Sequence, residues 1–318
     1  MKNKPILIVP GQLNSIFFEI FFKALRLKKF KSPLILIYSE KILKDQLKKF
    51  RFNKNIKIID PNLLKKYKLN NNKINLINIP FIGAKDRIYY QNIFLERCFD
   101  KAFSILSSGF TKKFINGPIN KKNFLNKKYL GITEYISKKF KFDDVAMLIY
   151  NKKLSVCPVT THLPLKLVSK RITSKSIRKK TTLIKSFYKK NFGFNPKIAV
   201  TGLNPHCESI HKYNEDDKIL KPVIKSLYKS KFKIYGPYPA DTVFLKKNRL
   251  KFDVIIGMYH DQVLSPMKTI FEYDAINITL GLPFLRISPD HGPNETMVGK
   301  NISNPISLIN AITFLDKR

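Results

Sequence analysis

Residues 253–262 read DVIIGMYHDQ: a continuous apolar run, Val254 to Gly257, gives way within three residues to His260 and Asp261. Unbroken rather than alternating hydrophobicity over four to seven residues suits a strand covered on both faces, the environment of a parallel sheet between helical layers. The same arrangement recurs along the chain. KIAVTG (197–202) runs into Leu203-Asn204-Pro205-His206, LSVCPVT (154–160) into Thr161-His162-Leu163-Pro164, and FLRISPD (284–290) into His291. Four of the five histidines therefore follow predicted strands directly.

Outward from these segments, short apolar runs alternate with stretches of helical length. PILIVP (5–10) precedes an amphipathic stretch from Asn14 to Leu27, PLILIY (33–38) precedes Glu40 to Phe50, and NIKIID (55–60) follows. Asp86 to Leu106 reads as a long helix, and KFINGPIN (113–120) as a strand ending in a Gly-Pro turn. VAMLIYN (145–151) and LSVCPVT are expected to pair as a hairpin across Asn151-Lys152-Lys153. Further helices are predicted over Ser174 to Lys190, Glu215 to Leu227 and Ser303 to Leu315, with a late strand at INITLG (276–281). Repeated β-α units imply an α/β fold, and such sheets take ligands beyond the carboxyl ends of their strands.

At 318 residues the chain suits two domains, or one large α/β unit burying roughly 75% of its unfolded surface. Its apolar runs are far shorter than the ~20 residues needed to cross a bilayer, so a soluble protein is expected. MKNKPILIVPGQ has an apolar run too short for a signal-peptide core and no small-residue cleavage site, which makes cytoplasm the expected compartment. Cys98, Cys157 and Cys207 are odd in number, widely spaced and free of any CxxC pair, so free thiols are expected rather than disulfides or a zinc ribbon. Sixty Lys+Arg against 22 Asp+Glu gives a net charge of +38, which alone would point to nucleic acid through counterion release. The basic residues are spread over nearly every segment, and only nine are Arg. That distribution favours a solvated lysine-rich surface that attracts anionic small molecules, with a basic nucleic-acid-binding protein kept as the alternative of another class.

Several devices are missing from the sequence: GxSxG for nucleophilic catalysis, and the Walker A and GxGxxG glycine patterns for phosphates. Neutral imidazole is the commonest metal ligand, and three histidines with one open coordination position describe a catalytic site in which the ion acts as Lewis acid. His162, His206 and His260 could form such a set; taken singly, each is equally a hydrogen-bonded structural residue. Beyond the third lie Lys268, Asn277 and Arg286. Arg286 sits inside an apolar run and offers a planar fork suited to carboxylate or phosphate, its alternative being a structural ion pair.

The strings HLPLKLV, GLNPH, GPYPADTVF, MYHDQ, NITLGLPFLR and SPDHG, in this order, closely resemble the 4-hydroxythreonine-4-phosphate dehydrogenases of vitamin B6 synthesis, from about Gly117 onward. The resemblance implies two α/β/α domains with a cleft between them, similar to isocitrate and isopropylmalate dehydrogenases. Residues 1–135 plus 288–318 would form the first domain and 136–287 the second. It implies a homodimer with a shared active site, NAD (or NADP), and one divalent metal (zinc, cobalt, magnesium or manganese). Carried over by motif, the metal ligands fall on His162, His206 and His260, which with Lys268 form the catalytic set. Substrate contacts fall on Thr133, Lys268, Asn277 and Arg286, and cofactor contacts on His291, Gly292, Glu295 and Gly299 in DHGPNETMVGK (290–300). Asp261 and Asp241 are candidates for orienting imidazole or lysine.

This chain departs from the family pattern at four places. Ile132 stands where a histidine precedes the substrate-binding threonine, and Asn120-Lys121 where a histidine-lysine pair is usual. GQLNSIFFE (11–19) replaces a glycine- and proline-rich GDPAGIGPE-like segment. Thr296 stands where an acidic residue commonly holds the ribose hydroxyls, with Glu295 beside it. Ile132 keeps open a paralogous dehydrogenase acting on 4-phosphothreonate or 4-phosphoerythronate.

Overall fold

The apolar runs become strands because their side chains are covered on both sides: Ile6–Val9, Leu34–Tyr38, Lys113–Asn116, Ser155–Pro158, Ile198–Thr201 and Val254–Gly257 are buried along their whole length. A computed structural model describes residues 3–120, 129 and 131–318. In chain order the elements are β1 (Ile6–Val9), α1 (Phe17–Leu27), β2 (Leu34–Tyr38), α2 (Glu40–Lys49), β3 (Ile56–Ile58), β4 (Ile74–Asn78), α3 (Ile88–Ser107), β5 (Lys113–Asn116), α4 (Ile132–Lys139), β6 (Ala146–Tyr150), β7 (Ser155–Pro158), α5 (Ser174–Phe192), β8 (Ile198–Thr201), α6 (Lys221–Lys229), β9 (Ile234–Tyr238), β10 (Val254–Gly257), α7 (His260–Phe271), β11 (Ile276–Leu280), β12 (Leu285–Pro289) and α8 (Ile306–Asp316). Shorter helical turns lie between them. The chain divides into two units, one of Met1–Tyr135 with Pro283–Arg318 and one of Ile136–Leu282.

In the first unit the strand order is β3-β4-β2-β1-β5-β12, every pairing parallel. Aromatic rings fill the space between sheet and helices. Phe17, Phe21 and Phe22 of α1 and Phe94 and Phe99 of α3 are fully buried. Tyr38 meets Phe94 edge-on with ring centroids 4.9 Å apart, and Phe99 meets Phe114 at 6.1 Å. Such edge-to-face pairs add about 0.5–1.5 kcal/mol each beyond the area they bury. Ser39 caps α2 by accepting the Ile42 amide, which starts that helix directly behind β2. β4 was not read as a strand in the sequence because asparagines break the apolar residues of INLIN into runs too short to mark a covered strand. Asn75 is nonetheless buried, its amide spent on the carbonyls of Leu34 and Asn70.

The second unit orders its strands β11-β6-β7-β10-β8-β9. β7, β10, β8 and β9 run parallel, while β6 pairs antiparallel with both β7 and β11. The hairpin expected across residues 151–153 forms, closed by the Asn151 amide donating to Leu154 O. The helix predicted to start at Glu215 instead opens with a wide turn, Asp216–Leu220, before α6. Among the described residues no helix is long and apolar enough to cross a membrane.

In the first unit the loops after β1 and β5 meet backbone to backbone. A Cβ on Gly117 would overlap the Pro10 carbonyl, and one on Gly11 the Pro118 carbonyl; Gly11 also has φ +90°. Gly117→Ala is therefore expected to cost about 3 kcal/mol, the upper range for overpacking. A urea denaturation midpoint equal to that of the wild type would contradict this reading of the contact.

Candidate active site

The second unit's parallel strand ends are tied by one side chain. Gly257 closes β10 without a side chain because Val263 and Gln262 of α7 pack against it. Gln262 Oε1 accepts from Met258 N at 2.6 Å and Thr201 Oγ1 at 2.7 Å, while its Nε2 donates to Gly202 O at 2.8 Å. One carboxamide thus joins the ends of β10 and β8 to the first turn of α7. On the other side, the Val159 amide donates to Gly257 O at 2.7 Å, and the Thr160 amide and hydroxyl both donate to Met258 O. This carries the β7 segment alongside β10 as far as the turn holding His162.

His162 and His260 consequently face each other, with ring centroids 6.0 Å apart and planes inclined at 40°. His260 is the first residue of α7, and its Nδ1 lies 2.6 Å from Asp261 Oδ1. With Nδ1–H donated to the carboxylate, the lone pair of a neutral imidazole sits on Nε2, the arrangement that orients a metal-ligating histidine. His206 belongs to a different turn, built around Asp216. That carboxylate is fully buried, with Oδ1 accepting from Leu203 N at 2.9 Å and Oδ2 from Asn204 N at 3.0 Å and Asn204 Nδ2 at 2.9 Å. The turn brings His206 to the surface with φ 57°. Among the described residues no group of three His, Cys, Asp or Glu gathers to hold a metal ion. The facing imidazoles fit a divalent ion of zinc or cobalt type in donor chemistry, and would supply two donors to one bound between them.

Of the other predicted site residues in this unit, Lys268 is half-buried two turns along α7 from His260. Asn277 lies on β11 with its Oδ1 buried and lacking a hydrogen-bond partner among the described residues. Buried acceptors left in that state are the exception in folded proteins, and a ligand donor is one resolution. Asp241 is exposed on the turn Ala240–Val243, while Asp261 meets its imidazole directly.

In the first unit Arg286 is wholly buried on β12, its Nε donating to Asn116 Oδ1 at 2.7 Å. Burial pushes the guanidinium pKa down to about 10, with the Glu134 carboxylate pulling the other way. Thr133 is buried in the first turn of α4, directly after a half-buried Ile132. Lys121 lies outside the described residues. In the loop after β12, His291 Nδ1 pairs with Gly292 O at 2.9 Å, Glu295 Oε1 accepts from Gln12 Nε2 at 2.8 Å, and Gly299 has φ +85°. All three cysteines are buried, and burial raises the Cys157 thiol to about 11, which leaves it protonated at neutral pH.

Asp216 and Gln262 escaped the sequence reading. Both had a signal there: Asp216 sits in the acidic run Glu215-Asp216-Asp217 shortly after GLNPH, and Gln262 is the glutamine of MYHDQ itself. Removing the Asp216 carboxylate leaves the Leu203 and Asn204 amides without their acceptor. Asp216→Ala should cost about 2–3 kcal/mol in chemical denaturation. An unchanged midpoint would mean that the turn carrying His206 holds itself.

The sequence model of the family described as pyridoxal phosphate biosynthetic protein PdxA matches residues 29–315. The 4-hydroxythreonine-4-phosphate dehydrogenase of Sulfurihydrogenibium sp. is 44% identical over 187 residues, which is 58% of this chain and 57% of that protein. A D-threonate 4-phosphate dehydrogenase of Pectobacterium atrosepticum is 34% identical over 199 residues, 62% of this chain and 61% of that one. The aligned stretches thus span less than two thirds of these curated relatives' own lengths. The crystal structure of 4-hydroxythreonine-4-phosphate dehydrogenase from Klebsiella pneumoniae superimposes with a TM-score of 0.84 at 26% identity, covering 98% of this chain and 97% of that one. The ordered motifs, the α/β units and the match over residues 29–315 agree: the chain belongs to the PdxA family of pyridoxal phosphate biosynthetic proteins.

Proposed function

We propose that this protein oxidises and decarboxylates 4-phosphooxy-L-threonine to 3-amino-2-oxopropyl phosphate, using NAD and a divalent metal, as a cytoplasmic step towards pyridoxine 5'-phosphate. The observation that carries this reading is the facing pair His162 and His260, with Asp261 fixing the second ring. A divalent ion held there supplies Lewis-acid polarisation of a substrate oxygen. On this reading His206 is the third ligand, and a second copy of the chain contributes to the shared site.

The remaining roles follow from side-chain chemistry. Lys268 would take up the substrate's hydroxyl proton during oxidation, a bound nicotinamide supplying the hydride acceptor, and would return a proton after carbon dioxide departs. The buried Asn277 Oδ1 accepts from the substrate's ammonium or hydroxyl group. Arg286, held by Asn116 and destabilised by burial, is relieved by an anionic group of the substrate, and Thr133 adds a hydroxyl donor. The 291–299 loop receives the dinucleotide.

Ile132 supports a second reading. Its half-buried aliphatic side chain offers nothing polar beside Thr133, so a substrate lacking the amino group would lose little there. On that reading the substrate is 4-phosphothreonate or 4-phosphoerythronate, the first being akin to the substrate in the name of the Pectobacterium relative.

NADH formation by the purified protein decides between them. 4-Phosphooxy-L-threonine should be turned over with the highest kcat/KM; a preference for 4-phosphothreonate or 4-phosphoerythronate would install the second reading. His162→Ala and His260→Ala should each lower kcat by two orders of magnitude or more, about 2.7 kcal/mol of barrier. Full activity in either variant, or steeply salt-dependent duplex binding with no turnover, would remove both.

A further inference from the structure

Apart from the facing histidines, the first unit holds a cavity of about 170 Å³ whose polar lining is Gln12, Asn14, Gln91, Asn92, Asn120 and Glu295. Among the described residues no lysine or arginine lines it. Five carboxamides and one carboxylate make a neutral-to-acidic lining rich in acceptors. Hydroxyl groups are matched by such a surface, whereas a phosphate monoester would meet the like charge of Glu295.

Gln12 organises this cavity. The residue is only 9% exposed, and every polar group of its side chain is engaged. Nε2 donates to Glu295 Oε1 at 2.8 Å and Asn14 O at 2.9 Å, and Oε1 accepts from Asn120 N at 2.7 Å. Its backbone is fixed as well, with Gln12 N donating to Pro118 O at 3.1 Å next to the close approach of Gly11. A second link, Ile16 N to Pro293 O at 3.1 Å, ties the same two segments. Glu295, by contrast, is an exposed residue on a loop. A buried amide therefore anchors an exposed carboxylate at the cavity's edge.

We propose that Gln12 is a positioning residue for nucleotide choice: it holds Glu295 where the cavity accepts an unphosphorylated ribose diol and turns away a 2'-phosphate. The proposal rests on the reading that the 291–299 loop receives the dinucleotide. A carboxylate at position 12 could not serve, since its oxygen would lie at hydrogen-bonding distance from that of Glu295 with no proton between them.

The test is binding of NADH and NADPH, followed by nicotinamide fluorescence, together with hydrogen exchange of residues 291–299, on the purified protein and its Gln12→Ala variant. The wild type should bind NADH more tightly than NADPH. Gln12→Ala should weaken NADH binding about fivefold, as expected for a partly exposed charge-assisted hydrogen bond. It should change NADPH binding less, so that the ratio narrows, and should speed exchange across 291–299 while leaving the circular dichroism spectrum unchanged. The paired exchange Gln12→Glu with Glu295→Gln re-forms one hydrogen bond between the two side chains and should restore slow exchange. An unchanged affinity ratio and unchanged exchange in Gln12→Ala overturn the role of Gln12. A wild type that binds neither dinucleotide, with exchange still raised in Gln12→Ala, overturns the nucleotide assignment and leaves the tether standing.

Discussion

The carboxamide of Gln262 sits where two parallel strands stop and a helix begins. Parallel strands end with backbone groups that no longer find a neighbouring strand, and α7 begins with amides that have no partner in the helix. By accepting from Met258 N and Thr201 Oγ1 and donating to Gly202 O, Gln262 satisfies groups from β8 and β10 at once. Gly257 makes that approach possible, because any side chain there would strike Val263. The turn that results leaves His260 at the head of α7, and the Thr160 bonds to Met258 O bring His162 opposite. The facing imidazoles are thus a product of strand-end bookkeeping in hydrogen bonds rather than of any contact between the rings.

Charge behaves differently at the surface and inside. The excess of lysine is spread along the chain and solvated, while the buried charged groups are few and each has a defined setting. Asp216 accepts three N–H groups, and Arg286 rests on Asn116 with Glu134 near enough to favour its cation. Among the described residues the cavity around Gln12 has no cation in its lining. A net charge of +38 consequently says little about what the interior sites receive.

Much of this was legible in the sequence. Continuous apolar runs marked most of the strands, and the Asn151-Lys152-Lys153 hairpin was readable from its spacing. His260 could be assigned to a strand end because His260, Asp261 and Gln262 follow within a few residues of Gly257; that it also begins a helix was hidden by Pro266, which reads as a breaker but is accommodated within α7. β4 and β9 were obscured for related reasons, the first by asparagines that are buried or paired in the structure and the second by the Gly-Pro of IYGPY. The bonding partners of Asp216 and Gln12 were opaque for another reason. Each acts through backbone amides or a side chain distant in sequence, and local pattern cannot reveal which amide a carboxylate or carboxamide will meet.

The most direct measurement is element-specific anomalous diffraction from crystals of the protein prepared with zinc, cobalt or manganese. If the facing imidazoles are a metal centre, one strong peak lies about 2.0–2.1 Å from a ring nitrogen of both His162 and His260. Crystals that bind the ion elsewhere, or show no peak between these two rings, would contradict the assignment.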